Sequence, residues 1–436
     1  MKRISLILVL FLGTLSLWAQ TKMSLEECIR LAWKQNPSLR NRVIDLKEAK
    51  VNYVASIGSF LPRIVAKSEM GKSFGRSLDV ATNEYRTETF EQGSIGLDMT
   101  VSLFEGFSRI NRVRFQKMNR EKSEWELKEK YNELALSVME AYFGLLLEKK
   151  LLVLAEEQSK LSERYLKQTE VFLELGLKSA SDLQEVKARR AGDIYRYQSR
   201  ENSCRLAMIY LKQLMNMNNQ SGDSIAIEDA IQEMEVPLVT VLRTDSLYAR
   251  SLDVLPSMRA LEWEQKAARK AYAIAGGAFS PTFFARFTIG SNCNDTFFSS
   301  KQFRDNMGRY IGVGVSFPLL NGLERLTNQR KQKLNIYRME NVVELEKQQL
   351  YANVEQTVSS LRAGYKEHCQ AISQLEAERL VLKESERKWE EGLISVFQLM
   401  EARNRFIEAK AELTRVRLQM EILLNMEKYY REGKFI

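Results

Sequence analysis

The sequence contains few of the residues that interrupt helices and few of those that carry out enzyme chemistry. Its 436 residues include only 21 glycines, 6 prolines, 4 cysteines and one histidine. So little glycine and proline, combined with 28% charged residues, favours long helices over several compact domains. The cysteines form no CxxC pair and have no metal-ligand spacing, so we expect no metal site. We also expect no cofactor.

Charge of one sign is not concentrated anywhere along the chain. The formal net charge is +9, but the 65 lysines and arginines are interleaved with 56 acidic residues. Nucleic-acid-binding proteins usually gather basic residues into a patch or stripe, so we expect no nucleic-acid partner and interpret these charges as solvated helix surfaces. His368 lies in one such charged stretch. We expect it to be exposed rather than catalytic, and the sequence does not predict an enzyme.

Long apolar runs are missing except at the N-terminus. Lys2 and Arg3 precede an apolar run over residues 4–17, which is followed by Trp18-Ala19-Gln20. This order is typical of a secretory signal peptide, which we place at residues 1–19. No other stretch approaches the roughly 18 apolar residues of a membrane-spanning helix, so we expect no transmembrane helix in the mature chain.

Two glycine-containing turns indicate an internal duplication. Gly176 and Gly392 are 216 residues apart, and the same offset relates Gly106 to Gly322. A register kept over this distance predicts two structural repeats rather than a chance likeness. The predicted segments are a signal peptide at 1–19, a first repeat at 20–217, a linker at 218–243 and a second repeat at 244–436.

Each repeat contains a stretch in which the apolar period becomes that of a strand. Residues 95–103 alternate apolar and polar side chains, and residues 311–317 do the same. With weaker partners before them, they predict one strand hairpin in each repeat, with strands of about 10 residues, a length that suits a tilted membrane strand. The predicted hairpins span about 63–104 and 282–318, with polar loops at about 75–92 and 291–308.

A helical period follows each strand hairpin and continues without proline as far as the glycine turn. Such a helix of about 69 residues would be roughly 100 Å long, and its apolar spacing favours coiled-coil packing. A second helix follows each turn, so we predict helical hairpins at 107–217 and 323–430. The apolar stripes are Leu134, Val138, Tyr142 and Leu145 in the first repeat and Leu350, Val354, Val358 and Leu361 in the second. Cys204 and Cys369 lie at similar distances from the turns, which leaves a disulfide and free thiols as alternatives.

The number of strands constrains the assembly. Four strands cannot close a barrel, and an open sheet edge is not tolerated in lipid. Single-chain membrane barrels begin at about eight strands, whereas three copies of this chain would supply 12. The alternative is that the four strands form a soluble sandwich with the helices.

The most specific segments are the strand-to-helix junctions Val101-Ser102-Leu103-Phe104-Glu105-Gly106 and Val315-Ser316-Phe317-Pro318-Leu319-Leu320-Asn321-Gly322, and the turns at 176–185 and 392–401. Taken in order, these features resemble the TolC-like outer membrane efflux protein family, over nearly all of the mature chain. The resemblance implies a mainly α fold with a small β part. In the homotrimer, duplicated helical hairpins would form an α-barrel and four strands per chain a 12-stranded transmembrane β-barrel.

The resemblance also implies a function without catalysis. The chain would be the outer membrane exit duct of a tripartite efflux pump or a type I secretion system, with a long periplasmic extension. Its implied partners are two further copies of itself, a periplasmic adaptor protein, an inner-membrane pump and outer membrane lipid. The cargo is not indicated by the sequence.

Two sets of functional residues follow from the resemblance. The implied adaptor contacts are Gly176, Leu177, Ser179, Gly392, Leu393 and Ser395. The implied periplasmic gate consists of Ser181, Asp182, Glu185, Trp389, Gln398 and Glu401. Gln398 stands where an acidic residue is common, and Ile394 stands where a basic residue can form a latch. Glu401 would then be the remaining acidic ring, which would favour cations.

The alternative function is that of a periplasmic coiled-coil adaptor or structural rod without a membrane barrel. Such a protein would also have a signal peptide and long helical hairpins. It would usually have one helical hairpin and compact β domains, whereas this sequence predicts two helical hairpins and four alternating strands.

Overall fold

The computed structural model describes residues 22–79, 83–217, 226–228, 243–295 and 300–435. The predicted signal peptide and most of the predicted linker lie outside these residues. The elements are α1 Leu25–Gln35, α2 Pro37–Gly58, β1 Arg63–Asp79, β2 Glu84–Glu105, α3 Ser108–Glu174, α4 Ala180–Leu214, α5 Thr244–Val254, α6 Pro256–Gly277, β3 Thr282–Asp295, α7 Ser300–Asp305, β4 Gly308–Ser316, α8 Glu324–Glu390 and α9 Val396–Glu432.

Local sequence signals explain where the first helices begin and end. Ser24 caps α1 through a capping box, in which the Glu27 N–H donates to Ser24 Oγ and the Ser24 N–H donates to Glu27 Oε2. α1 ends before Asn36, whose backbone is extended because Pro37 follows it. Pro37 then occupies the first position of α2, where no N–H is needed.

The four strands form one antiparallel sheet in the order β1-β2-β3-β4. β1 pairs with β2 from Arg63↔Thr100 onward, and β3 pairs with β4 through Ala285↔Val313. β2 and β3 come from different repeats, and they pair along most of β3. The sheet therefore joins the two repeats and places β1 and β4 at its edges.

The first strand hairpin spans the predicted residues, but its two strands are longer than the sequence predicted. β1 has 17 residues and β2 has 22, and their ladder continues from Phe74↔Thr89 to Asp79↔Glu84. The predicted loop at 75–92 was therefore wrong, because backbone pairing does not need an apolar face and residues such as Tyr85 and Thr87 favour strands. The predicted loop at 291–308 instead contains the end of β3 and the short helix α7.

The chain forms two compact units, and each unit takes residues from both repeats. One unit takes the described residues of Met1–Arg42, Leu127–Pro256 and Lys347–Ile436, and the other takes those of Val43–Glu126 and Ser257–Glu346. All eight residues of the two predicted apolar stripes are buried in the first unit. None of the helices in the described residues is both long and apolar enough to cross a membrane.

One expectation about a single side chain was wrong, and one pair of alternatives is decided. His368 is only 6% exposed, because its face of α8 packs toward α9. There the Nε of Arg417 donates to His368 Nε2 over 3.3 Å. Burial and the Arg417 charge both lower the pKa of His368. Cys204 and Cys369 are both free thiols, so the disulfide alternative was also wrong.

Candidate functional site at the two helical turns

The two turns have the same backbone structure. Shortly after the last residue of α3 and of α8, the chain passes through a glycine in the left-handed region, with φ of +74° at Gly176 and +75° at Gly392. The Leu177 N–H donates to Phe172 O and the Leu393 N–H donates to Lys388 O, both over 2.8 Å. These bonds close a Schellman motif, which glycine adopts without steric cost.

The helices after the turns also begin in the same way. The Asp182 N–H donates to Ser179 Oγ over 3.2 Å, and the Ser179 N–H donates to Asp182 Oδ2 over 2.8 Å. In the twin, the Gln398 N–H donates to Ser395 Oγ over 3.3 Å, and the Ser395 N–H donates to Gln398 Oε1 over 3.1 Å. Each turn is therefore held at both ends by bonds that close within a few residues.

The capping boxes give a structural role to four of the predicted functional residues. Ser179 and Ser395 were predicted as adaptor contacts, and Asp182 and Gln398 as gate residues. A capping box needs a side-chain oxygen three residues after the cap. An amide supplies this oxygen as well as a carboxylate does, so Gln398 replaces an acidic residue here without loss of the turn. The Ser179 N–H and hydroxyl, which donate to Asp182, lower the pKa of that carboxyl. The Ser-x-x-Asp and Ser-x-x-Gln spacings were the sequence signal for these caps.

The leucines that follow the glycines project outward. Leu177 is 66% exposed and Leu393 is 69% exposed. Leu175 and Phe397 beside them are also exposed. The turns therefore present apolar side chains on a rigid backbone, as a surface that binds another protein does.

An apolar cluster lies next to the turns, and Trp389 packs against it. The Trp389 ring meets the Tyr165 ring edge-on, with centroids 5.3 Å apart. Ile394 packs against the same cluster, where a basic side chain would lose its hydration. Trp389 is half-buried there. The cluster consists of Tyr165, Val186, Leu382, Val396, Leu399 and Met400, with Leu161, Leu166, Trp389, Ile394 and Phe406 packed around it.

Two of the predicted gate residues line one cavity between α4 and α9. Glu185 from α4 and Glu401 from α9 both border this cavity of about 390 Å³, and both are exposed. Arg189 also lines it, and its Nε and Nη2 are buried without a hydrogen-bond partner among the described residues. The structure thus brings together the two carboxylates and adds an arginine that sequence reasoning missed. Ser181 is exposed and does not line this cavity.

A second, smaller cavity lies between α3, α4 and α9. Asp193 is fully buried beside it and accepts from Arg196 Nη2 over 2.9 Å. Gln158 Nε2 donates to Asn404 Oδ1 over 3.4 Å. No local motif distinguishes these side chains from the other polar residues on the same helices, so sequence reasoning did not find them.

A model of the family described as outer membrane efflux protein matches residues 28–216 and 247–425. The chain belongs to the outer membrane efflux protein family. It is an outer membrane efflux channel with a long helical extension into the periplasm, and the alternative of a periplasmic adaptor or rod is not favoured.

Solved channels share this fold at low sequence identity, and no curated protein sequence matches the chain significantly. The Campylobacter jejuni CmeC outer membrane channel matches with a TM-score of 0.82 and 14% identity, over 94% of this chain and 85% of CmeC. The Vibrio cholerae outer membrane protein VceC matches with a TM-score of 0.78 and 16% identity, over 94% of this chain and 97% of VceC. The open state of the Neisseria gonorrhoeae MtrE channel matches with a TM-score of 0.74 and 16% identity, over 94% of this chain and 89% of MtrE.

Proposed function

We propose that three copies of this efflux channel form one duct whose β-barrel closes through the two edge strands. β1 and β4 each pair on one side only within the described residues. β2 of the first repeat pairs with β3 of the second, and repeating that relation pairs β4 of one copy with β1 of the next. Three copies then supply 12 strands and leave no open edge in the lipid.

The side chains of β4 support a position in the membrane. Ile311, Val313 and Val315 are exposed and share one face of the strand. They alternate with Gly312 and Gly314, which lie under aromatic rings on the other face. An exposed apolar face with this period fits contact with hydrocarbon, so outer membrane lipid is a partner of this strand.

The oligomeric state in detergent tests this proposal. The purified mature protein is expected to be a trimer by light scattering and by native mass spectrometry. It is also expected to give discrete conductance steps in a planar bilayer. A monomer that inserts and conducts would refute barrel closure between copies.

The turns supply the surface for the adaptor. Leu177 and Leu393 are the exposed leucines that follow the glycines of the two rigid turns, and we call these positions the corners. Three copies would present six such corners in one ring. An adaptor that covers these leucines links the channel to an inner-membrane pump, in a tripartite efflux pump or a type I secretion system. Gly176 and Gly392 hold the corners, and Ser179 and Ser395 cap the helices behind them.

The gate proposal depends mainly on Glu185 and Glu401. Both carboxylates border the same cavity beside Arg189, and in a trimer each would recur three times around the duct. Ser181 and Trp389 remain predicted gate residues, whereas Asp182 and Gln398 act through the turns that they cap. Carboxylates repeated around a narrow passage favour cations.

A further inference from the structure

In the single chain, the junction between β2 and α3 packs against the end of α6 through a contact of glycine on glycine. A Cβ at Gly106 would lie 2.3 Å from Gly277 O and 2.5 Å from Ser280 Cβ. A Cβ at Gly277 would lie 2.1 Å from Ser108 Oγ and 2.5 Å from Gly106 O. Neither position can take a side chain without moving the backbone, so these two segments depend on this close approach.

The duplicated counterparts of both glycines are open. The offset of 216 residues relates Gly106 to Gly322, and the offset of 219 that relates Pro62 to Pro281 also relates Gly58 to Gly277. Apart from chain neighbours and its own helix, no heavy atom of the described residues lies within 4 Å of a Cβ at Gly58 or at Gly322. Gly58 and Gly322 are therefore the counterparts of two glycines that pack on each other, but within the described residues of one chain they do not pack on each other.

The second junction, between β4 and α8, has the same backbone conformation as the first. Gly106 and Gly322 have φ of +58° and +59°, and the residues after them, Phe107 and Leu323, have φ of +62° and +67°. Two successive left-handed residues, one of them with a bulky side chain, are unfavourable without a surrounding structure that holds them. Within the described residues of one chain, the first junction has such packing and the second does not.

The neighbouring side chains are arranged alike in the two repeats. The Arg109 guanidinium lies 5.2 Å from the centre of the Phe60 ring, and that of Arg325 lies 5.8 Å from the centre of the Phe279 ring. Each junction therefore stands in the same relation to the helix end of its own repeat. The helix end at Gly58 is thus arranged like the helix end at Gly277, and a junction can pack against it in the same way.

We propose that Gly322 of one copy packs against Gly58 of the next, repeating between copies the contact of Gly106 with Gly277 inside each chain. This proposal rests on the trimer proposed above and names the residues at which neighbouring copies meet. Inside the chain, Phe104 pairs with Phe283. The same two offsets relate Phe104 to Leu320 and Phe283 to Ile64, so Leu320, which is 86% exposed, would meet Ile64 of the next copy, which is 57% exposed. A trimer would then contain six equivalent joints, three inside chains and three between them.

Cysteine crosslinking tests the joint in the full-length trimer. Phe104 and Phe283 are Cα partners between β2 and β3 inside the chain, and residues opposite each other in antiparallel strands have Cα atoms about 4.5–5.5 Å apart, within the range of a disulfide. The equivalent pair between copies is Leu320 with Ile64. In a variant whose four native cysteines are replaced by serine, Ile64→Cys with Leu320→Cys is expected to give a covalent trimer after oxidation, which dithiothreitol reverses. The matched control, Phe104→Cys with Phe283→Cys, is expected to give a disulfide within one chain and no covalent trimer.

The outcomes separate the joint from the trimer itself. A protein that is trimeric by light scattering but forms no crosslink between Ile64→Cys and Leu320→Cys refutes the joint and leaves the trimer standing. A protein that is not trimeric refutes both. If the cysteine variants fail to fold, Gly58→Leu provides an independent test, because a side chain there meets nothing within the chain. It is expected to leave the helix content unchanged and to shift the trimer toward monomers, whereas a stable Gly58→Leu trimer would refute the joint.

Discussion

Replacing the two exposed corner leucines, Leu177 and Leu393, by serine is expected to weaken adaptor binding without destabilising the channel. Complete burial of a leucine side chain contributes about 1.5–3 kcal/mol. Leu177 is 66% exposed and Leu393 is 69% exposed, so roughly two thirds of that, about 1–2 kcal/mol for each leucine, is available to a partner that covers it. At about 1.4 kcal/mol for each factor of ten, each single variant is expected to weaken binding roughly 5- to 30-fold.

The stability of the turns is not expected to change much. The bonds that close them come from the backbone N–H groups of Leu177 and Leu393, and serine keeps that N–H. Substitutions at exposed positions usually change stability by no more than about 0.5 kcal/mol. Thermal unfolding followed by circular dichroism is therefore expected to be nearly the same for the double variant and the natural protein.

The assay is surface plasmon resonance, with the trimer in lipid nanodiscs immobilised and the cognate adaptor in solution. Leu206→Ser is the matched control, because Leu206 is 58% exposed on α4 but lies far along the chain from either turn. It is expected to bind the adaptor normally. Unchanged affinity of the double variant would refute the corners as the adaptor surface, and an equal loss in Leu206→Ser would show that the effect does not belong to the turns.

Three further predictions concern the turn, the gate and the first junction. The folded-state pKa of Asp182 lies below its unfolded value of about 4, so the capping contribution is complete above that pH and is lost as the pH falls through the folded-state pKa. Hydrogen exchange is expected to rise in acid at the first turn and not at the second, where Gln398 does not titrate; equal acid responses would contradict this. Glu401→Gln is expected to lower cation preference, and an unchanged reversal potential in a salt gradient would remove Glu401 from the gate. Gly106→Val adds left-handed strain and a backbone clash, together about 2–5 kcal/mol, so a normal unfolding midpoint in urea would contradict the packing described.

Much of the helical structure could be predicted because its signals are local. The glycines of the Schellman turns, the serine caps and the prolines between short helices act on their own few residues, so their positions fix where helices end and restart. The two apolar stripes likewise require only the helical period. The strands of the first hairpin were predicted too short because their outer part is held by backbone pairing rather than by an apolar pattern.

The contents of the candidate site could not be predicted to the same degree. Spacing along a helix shows which residues share a face, but it does not show which neighbouring helix that face meets. His368 was expected in solvent and lies against Arg417. Trp389 packs beside Tyr165, and Glu185 and Glu401 meet at one cavity with Arg189. Each of these results depends on how α3, α4, α8 and α9 pack together.

Gly106 and Gly322 separate what the local sequence determines from what the tertiary structure determines. The sequence alone determined that both are junction glycines, because the duplication places them at the same point of each repeat, and both indeed have a φ near +60°. Only the tertiary structure showed that Gly106 is packed against Gly277 whereas Gly322 is open. Local sequence determines a backbone conformation, but what packs against it depends on residues far away in the chain or in another copy.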